Sequence, residues 1–348
     1  IFHEEVASGR EHGYRNFKIK IGRGARWMPT QEGLDRDVLV IHTVREAAGP
    51  DAKILIDANM GNTLNTAKEI LARCADVGVY WFEEPFAEDR PLNQALKEYI
   101  KGEKFLGYAS YSDCYFRFCN AVVEKVLAKH PDTWFGLIAY SHVGAPPVKV
   151  KVHPRIVPFM TYDTMQLIDS SRRERHETLL KRWQEKCTFL GRYDYTYGDH
   201  HVPPRIYIHH WADYVRWARD HNVRAWYAET YPFFGEAPKY YVMAKVWWNP
   251  DRDVDTILEE WYRLSFGNAA APMKAYFAHW EDYWTRRVRN TGLFLALKNS
   301  QYCMGNPGFL EALTPEDIDK GDTLIAQAQA SAGTPETQAR IEAMALSW

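Results

Sequence analysis

Phe17-Lys18-Ile19-Lys20-Ile21-Gly22, Leu55-Ile56-Asp57-Ala58-Asn59 and Trp81-Phe82-Glu83-Glu84-Pro85-Phe86 stand at even intervals in the first third of the chain. Each contains a short apolar run that reads as a strand, and each run ends in polar groups: Lys18 and Lys20, Asp57 and Asn59, Glu83 and Glu84. Between them lie helical patterns, with apolar positions Leu34, Val38, Ile41, Val44 and Ala48 in the first. Strands alternating with helices at this spacing are parallel βα units. The next tip, near Leu106-Gly107-Tyr108-Ala109-Ser110, carries no acid, so the series is interrupted there.

With 348 residues, 46% of them hydrophobic, the chain can fill one large α/β barrel or two ordinary domains. A formal net charge of −2 argues against a nucleic-acid or anionic-membrane surface. No apolar run approaches the roughly 18 residues that span a bilayer. Cys74, Cys114, Cys119, Cys187 and Cys303 are odd in number and form no C-x-x-C pair, so they read as free thiols rather than a disulfide framework or zinc site. The chain opens on Ile1 without an initiator Met or signal peptide, as a trimmed fragment would. A lost targeting segment, the compartment and the oligomeric state stay open on this reading.

Strands are expected at 16–21, 53–56, 79–82, 135–140, 156–162, 189–195 and 223–227, with a short additional one at 105–109. Helices are expected at 1–11, 34–48, 66–76, 91–100, 115–129, 172–187, 207–221, 239–246, 254–266 and 271–287. Two more begin at Thr314-Pro315 and Thr334-Pro335, each a capping residue followed by Pro at the first helical position. Residues 1–105 hold 2 of the 13 Trp and 3 of the 21 Tyr, so composition shifts at about 103–106. The pattern divides into a segment 1–105, a segment 106–290 and a helical segment 291–348. The fold class is α/β and (β/α)8 TIM-barrel-like, possible as one barrel of two unlike halves or as two separate half-barrels, with extra C-terminal helices.

Side chains alternate along a strand, so Lys18 and Lys20 share one side, and Asp57 and Asn59 share one side if their strand continues. In a parallel barrel the carboxyl ends of strands converge on one mouth, which brings Lys20, Asp57 and Glu83 together. This set suits removal of a proton beside a carboxylate. A divalent cation held by acids stabilises the developing charge, and Mg2+ prefers oxygen ligands while leaving positions for substrate. A neighbouring Lys and a metal lower the basicity of a Lys by like-charge repulsion. The alternative is a set of surface lysines and helix-capping acids.

On these three stretches, residues 1–105 resemble the barrel domain of the enolase superfamily, in its mandelate racemase and muconate lactonizing branch. The resemblance implies Lys20 as base, Lys18 as its electrostatic partner, Asp57 and Glu83 as Mg2+ ligands, and Asn59 beside a bound sugar acid. It also marks departures. The family has a third acidic ligand on the next strand, a further acid or base later in the barrel and an N-terminal capping domain. None of these is visible here; the nearest later acid, Asp113, reads as a helix cap. Two carboxylates bind Mg2+ poorly, so activity of this type is expected to be impaired.

Later strand ends carry Tyr140 and His142, Asp163, Asp194 and Glu229, with Trp226, Tyr227, Tyr231, Trp247 and Trp248 nearby. Carboxylates beside flat aromatic faces suit sugar binding and glycosidic cleavage. Glu229 and Asp194 are the candidate acids, with Tyr140, His142 and Tyr227 as substrate-binding groups. Against this, Asp163, Asp169 and Asp199 read as turn or cap residues. Trp247 and Trp248 read as core, and the pairs His200-His201 and His209-His210 as diverging side chains that do not chelate.

Residues 106–290 resemble an uncharacterised bacterial family with a glycoside-hydrolase-type barrel, similar in style to α-glucuronidases and β-hexosaminidases. The cues are Phe118-Cys119-Asn120-Ala121-Val122, Ala139-Tyr140-Ser141 with Pro146-Pro147, Tyr227-Ala228-Glu229, and Ala244-Lys245-Val246-Trp247-Trp248-Asn249-Pro250 ahead of Trp261-Tyr262. That resemblance transfers no catalytic residues. Three functions follow: a Mg2+-dependent lyase or isomerase of a sugar acid, a carbohydrate-active hydrolase, or an inactive hybrid of two truncated parents.

Overall fold

In the computed structural model of the protein, residues 1–24, 27–85, 104–105, 108–197, 202–230, 233–296 and 307–347 are described. The chain divides into two compact units, Ile1–Tyr99 and Ile100–Trp348.

Alternation along the strands builds the first unit. Strands β1 (Phe17–Lys20), β2 (Ile54–Asp57) and β3 (Trp81–Glu83) pair in parallel, with Lys20, Asp57 and Glu83 in one register row and Lys18, Leu55 and Trp81 in another. Ile19, Ile54 and Ile56 point the opposite way and are buried under helices α1 (Phe2–Glu11), α2 (Thr30–Ala48) and α3 (Leu64–Arg73), through Val6, Leu34, Val38, Ile41, Val44 and Ile70. Helix α3 starts at a capping box in which Thr63 and Thr66 bond reciprocally. At the tip of β1, Gly22 has φ +86°, and a Cβ there would lie 2.5 Å from the Ala58 carbonyl oxygen. Only glycine lets the tips of β1 and β2 approach this closely.

In the second unit the expected strand at 105–109 is instead a small antiparallel pair, β4 (Lys104–Phe105) with β5 (Tyr108–Ala109). Two residues per strand are too few for a barrel stave. Strands β6 (Phe135–Ala139), β7 (Ile156–Thr161), β8 (Leu190–Tyr195) and β9 (Val223–Glu229) form a parallel sheet in chain order. Ile156, Met160 and Leu190 pack beneath helices α4 (Ser112–Leu127), α5 (Ser170–Gln184) and α6 (Ile208–Asp220), against Phe116, Leu180, Trp183, Tyr214 and Ala218.

The rest is helical: α7 (Ala237–Trp248), α8 (Val254–Phe266), α9 (Ala270–Asp282), the short α10 (Gly292–Ala296), α11 (Pro315–Ala330) and α12 (Pro335–Ser347). Helices α11 and α12 share one core with α6 to α9, since Ile325, Ala328, Ile341 and Met344 belong to the cluster of Trp211, Trp261, Trp280 and Trp284. Thr314 opens α11 with a capping box through Asp317, as its sequence signature indicates.

The α/β class with parallel sheets is therefore borne out. Among the described residues the strands pair as sheets of three, two and four. Both parallel sheets add strands in chain order, as a (β/α)8 wall does, without the reversal of a doubly wound sheet. No described helix is long and apolar enough to cross a membrane. Cys74 and Cys119 are buried and Cys114 and Cys187 half-buried, all as free thiols. The expected helix at 91–100 lies outside the described residues, as do Leu106, Gly107, Asp199, His200, His201, Tyr231 and Cys303.

Candidate active site

The row Lys20–Asp57–Glu83 sets the geometry of the first unit's strand tips. Lys18 Nζ donates to Glu83 Oε2 at 2.6 Å and lies 3.2 Å from Asp57 Oδ2. Lys20 Nζ donates to Asp57 Oδ2 at 2.6 Å and to Asn59 Oδ1 at 2.9 Å. One carboxylate oxygen thus receives both ammonium groups. Asp57 is 1% exposed, whereas the side chains of Lys18, Lys20 and Glu83 are 43%, 64% and 39% exposed, so the cluster opens outward from a buried acid.

Burial pushes the Asp57 carboxyl up, but hydrogen bonds from Lys20, the Asn59 backbone and Lys18 outweigh it and hold its pKa below the usual carboxylate range. The Lys18 ammonium is held above its ordinary value, chiefly by its bond to Glu83, which outweighs the loss from burial, with the bond to Asp57 adding to the rise. In these contacts Lys18 is an ion-pair partner of the acids.

Two features of this rim escaped sequence reasoning. Asp37, 1% exposed on α2, accepts from the backbone N–H groups of Gly22 at 2.7 Å and Arg23 at 3.1 Å, and pairs with the Arg23 guanidinium. It clamps the loop after β1; an acid inside a helical pattern gives no such signal. Second, Asn59, Met60 and Glu84 adopt φ of +44°, +56° and +41°. Non-glycine residues in the left-handed region are uncommon and concentrate at sites that need a particular side-chain aim. Here the turn sends Asn59 Oδ1 to Lys20 and Asn59 Nδ2 to Glu84 Oε2, at 3.3 Å.

Asp57 and Glu83 can share a cation, because the Lys18 ammonium already lies within 3.2 Å and 2.6 Å of them. They fit as two oxygen ligands of Mg2+, an ion commonly held by one or two carboxylates with water and substrate completing the octahedron. Among the described residues no third His, Cys, Asp or Glu joins them. Asp113 caps nothing; its carboxylate accepts from the backbone of Val148, Lys149 and Val150, anchoring that loop to α4.

The strand tips of the second unit are built differently. Asp194, read as a catalytic acid, is corrected to a structural one: it is 0% exposed, and its oxygens accept from Thr164 N, Thr164 Oγ1 and Tyr195 N at 2.6–2.9 Å. It sits on the helix-packed side of β8 beside Arg192, and burial raises its pKa. Asp163 pairs with Arg205 at 2.5 Å with both side chains fully buried, and also caps the following 3-10 turn at Met165 N. Lys239 Nζ, equally buried, donates to Glu236 and to the carbonyls of Thr196 and Arg205; burial brings its pKa down to about 8. Asp169 caps α5 at Arg172 N.

Glu229 lies on the opposite face of the sheet, where Tyr193 Oη donates to its Oε1 at 2.5 Å and the Tyr193 and Tyr227 ring centroids stand 4.9 Å apart. Tyr140 and Tyr227 are 38% and 56% exposed. The His142 ring stacks on Tyr111 at 4.7 Å, and its Nδ1 is 2.9 Å from the Ala109 carbonyl oxygen, so it braces β5. His209 and His210 diverge, the first to Glu281 and Asp255, the second to the Thr164 carbonyl. Trp247 packs against Trp211 at 5.5 Å, while Trp248, read as core, is 92% exposed at the end of α7.

Comparison with known proteins places these two clusters in different families. Residues 2–101 match the model described as enolase C-terminal domain-like. The chain is 41% identical over 86 residues to D-galactarolactone cycloisomerase of Agrobacterium fabrum, covering 25% of this chain and 20% of the relative. It is 30% identical over 115 residues to arabinonate dehydratase of Saccharolobus solfataricus, covering 33% of this chain and 28% of the relative. The chain therefore spans only a fifth to just over a quarter of these curated relatives. Among solved structures, a galacturonate dehydratase from a Geobacillus species, complexed with Mg, aligns at 26% identity and TM-score 0.26, over 65% of this chain and 42% of its own. Residues 100–279, just over half of the chain, match the model described as domain of unknown function (DUF4838). The chain thus belongs to the DUF4838 family, and ahead of that domain carries a segment that matches the enolase C-terminal domain-like model.

Proposed function

We propose that the first unit carries part of an enolase-type centre for a sugar acid, in which Lys20 exchanges a proton at the carbon beside the substrate carboxylate. The gathering of Lys18, Lys20, Asp57, Asn59 and Glu83 on one row of strand tips carries this reading. Asp57 and Glu83 would hold Mg2+, which supplies Lewis-acid stabilisation of charge developing on a bound carboxylate. Lys18 offers that carboxylate a fixed positive charge, and Asn59 a hydrogen-bonding amide at the rim. As a base Lys20 must first lose its proton and its contact with Asp57, since its bonds here are those of an ammonium donor.

With two carboxylates and no third among the described residues, metal binding is weak and turnover slow. The relatives named for galactarolactone and arabinonate support a polyhydroxylated acid as the substrate class. The two-acid hydrolase reading loses its second acid with the burial of Asp194.

Proton NMR of arabinonate in D2O with Mg2+ tests the proposal. Loss of the C2 proton signal should run measurably faster with the protein than with Lys20→Ala. Equal rates for the two proteins overturn it.

A further inference from the structure

The helix-free face of the β6–β9 sheet is lined by aromatic rings. Phe159 lies across the strands on each side of it: a Cβ at Gly191 would come within 2.7 Å of its ring, and one at Gly136 within 3.0 Å. Gly191 is the register partner of Phe159. Glycine at these two positions is what lets the ring lie down on the sheet instead of standing off it. One step further along the same face, Tyr193 and Tyr227 are register partners, with their rings 32° from parallel. Beyond them Tyr195 and Glu229 are partners in turn. Tyr227 and Ile138 are 56% and 49% exposed, and Phe159 and Tyr193 half-buried, so this face is open to solvent.

We propose that this face binds neutral pyranosides, with the sugar's C–H face on the exposed Tyr227 ring and a hydroxyl donated to Glu229. Aromatic rings with an apolar face and a polar edge suit a ring that is itself apolar on its C–H face and hydroxylated at its rim. Tyr193 Oη holds Glu229 Oε1 at 2.5 Å and so fixes the carboxylate. Among the described residues Oε2 takes no hydrogen bond, which leaves an acceptor at the edge of this face. Burial, and then Glu229, raise the Tyr193 pKa, so the phenol stays a donor at neutral pH. An anionic sugar would meet the Glu229 charge at the same edge. The class selected is therefore uncharged, the opposite of the preference proposed for the lysine-bearing first unit, and it stands independently of that proposal.

Saturation-transfer NMR on the full chain, using methyl β-glucopyranoside, methyl α-galactopyranoside and methyl β-glucuronide, tests the inference. Irradiation of protein aromatic protons should transfer to the ring protons of at least one neutral glycoside. Tyr227→Ala should weaken that binding about tenfold, the range of a lost aromatic stack. Tyr227→Phe keeps the ring and should retain binding, which guards against a fold defect in the first variant. The glucuronide should bind more weakly than the glucoside, and Glu229→Gln should narrow the difference. Lys20→Ala should leave all of this unchanged. No transfer to either neutral glycoside, binding indifferent to Tyr227→Ala, or a glucuronide bound as well as the glucoside overturns the inference.

Discussion

The strand tips of the two units use similar residues for opposite ends. In the first, Asp57 receives two ammonium groups that are 43% and 64% exposed and can leave it. In the second, Asp163, Asp194, Arg192, Arg205 and Lys239 are all 0% exposed: Asp163 pairs with Arg205, Asp194 is held by Thr164 and Tyr195, and Arg192 and Lys239 bond largely to backbone carbonyls. Parity along the strand separates the two cases. Asp57 shares its face with Lys18 and Lys20, away from the helices, whereas Asp194 shares its face with Arg192, under them. An acid at the end of a strand becomes chemistry or scaffold according to whether it falls on the open or the helix-packed side.

The comparison breaks most visibly in stability. Arg205→Met removes the buried guanidinium that pairs with Asp163 and should cost the second unit about 3–5 kcal/mol, whereas Lys20→Ala should cost the first unit less than about 1 kcal/mol. Urea unfolding followed by tryptophan fluorescence reads the first, since 11 of the 13 Trp follow residue 105. Losses of similar size would erase the distinction. Next in size is Gly22→Ala, which sets a Cβ against the Ala58 carbonyl at φ +86°. It should destabilise the first unit by about 1–3 kcal/mol, and amide exchange at the tips of β1 and β2 should quicken.

Two smaller effects sharpen the contrast. Lys18 lies between the two carboxylates that would hold a metal, so Lys18→Met should tighten calorimetric Mg2+ binding about tenfold, near 1.4 kcal/mol. Unchanged or weaker binding would show that Lys18 does not compete for that place. The smallest effect concerns pH. The bond to Glu281 raises the His209 pKa to about 9, against a loss from burial. That stabilisation is complete below the unfolded value near 6.5 and is lost as pH rises through about 9. The side chain is 49% exposed, so screening limits the effect to about 1 kcal/mol. His209→Gln should flatten the slope of stability between those pH values.

Much of this was legible before folding. The strands carrying Lys20, Asp57, Glu83, Asp194 and Glu229 fall within one or two residues of their apolar runs, because period-2 alternation and flanking helices leave few alternatives. The gathering of the lysines with Asp57 follows from that alternation and from parallel pairing. Nearness to a strand end does not reveal which face Asp194 shares. Counting from Arg192 and Tyr193 would have raised the question, but only packing answers it. Tyr193, Phe159 and the glycines that seat it were invisible as a set, since their relation is a register between strands some 30 residues apart. The left-handed turn at Asn59 and Glu84 left no signature, because neither position is glycine.

The account rests most heavily on Asp57 and Glu83 acting as one cation site. Crystals soaked in Mn2+ and measured at the manganese edge test it directly. The account predicts an anomalous peak bonded to both carboxylates, with Lys18 Nζ displaced from between them. An anomalous map with no peak there, or with its peaks only elsewhere, would contradict it.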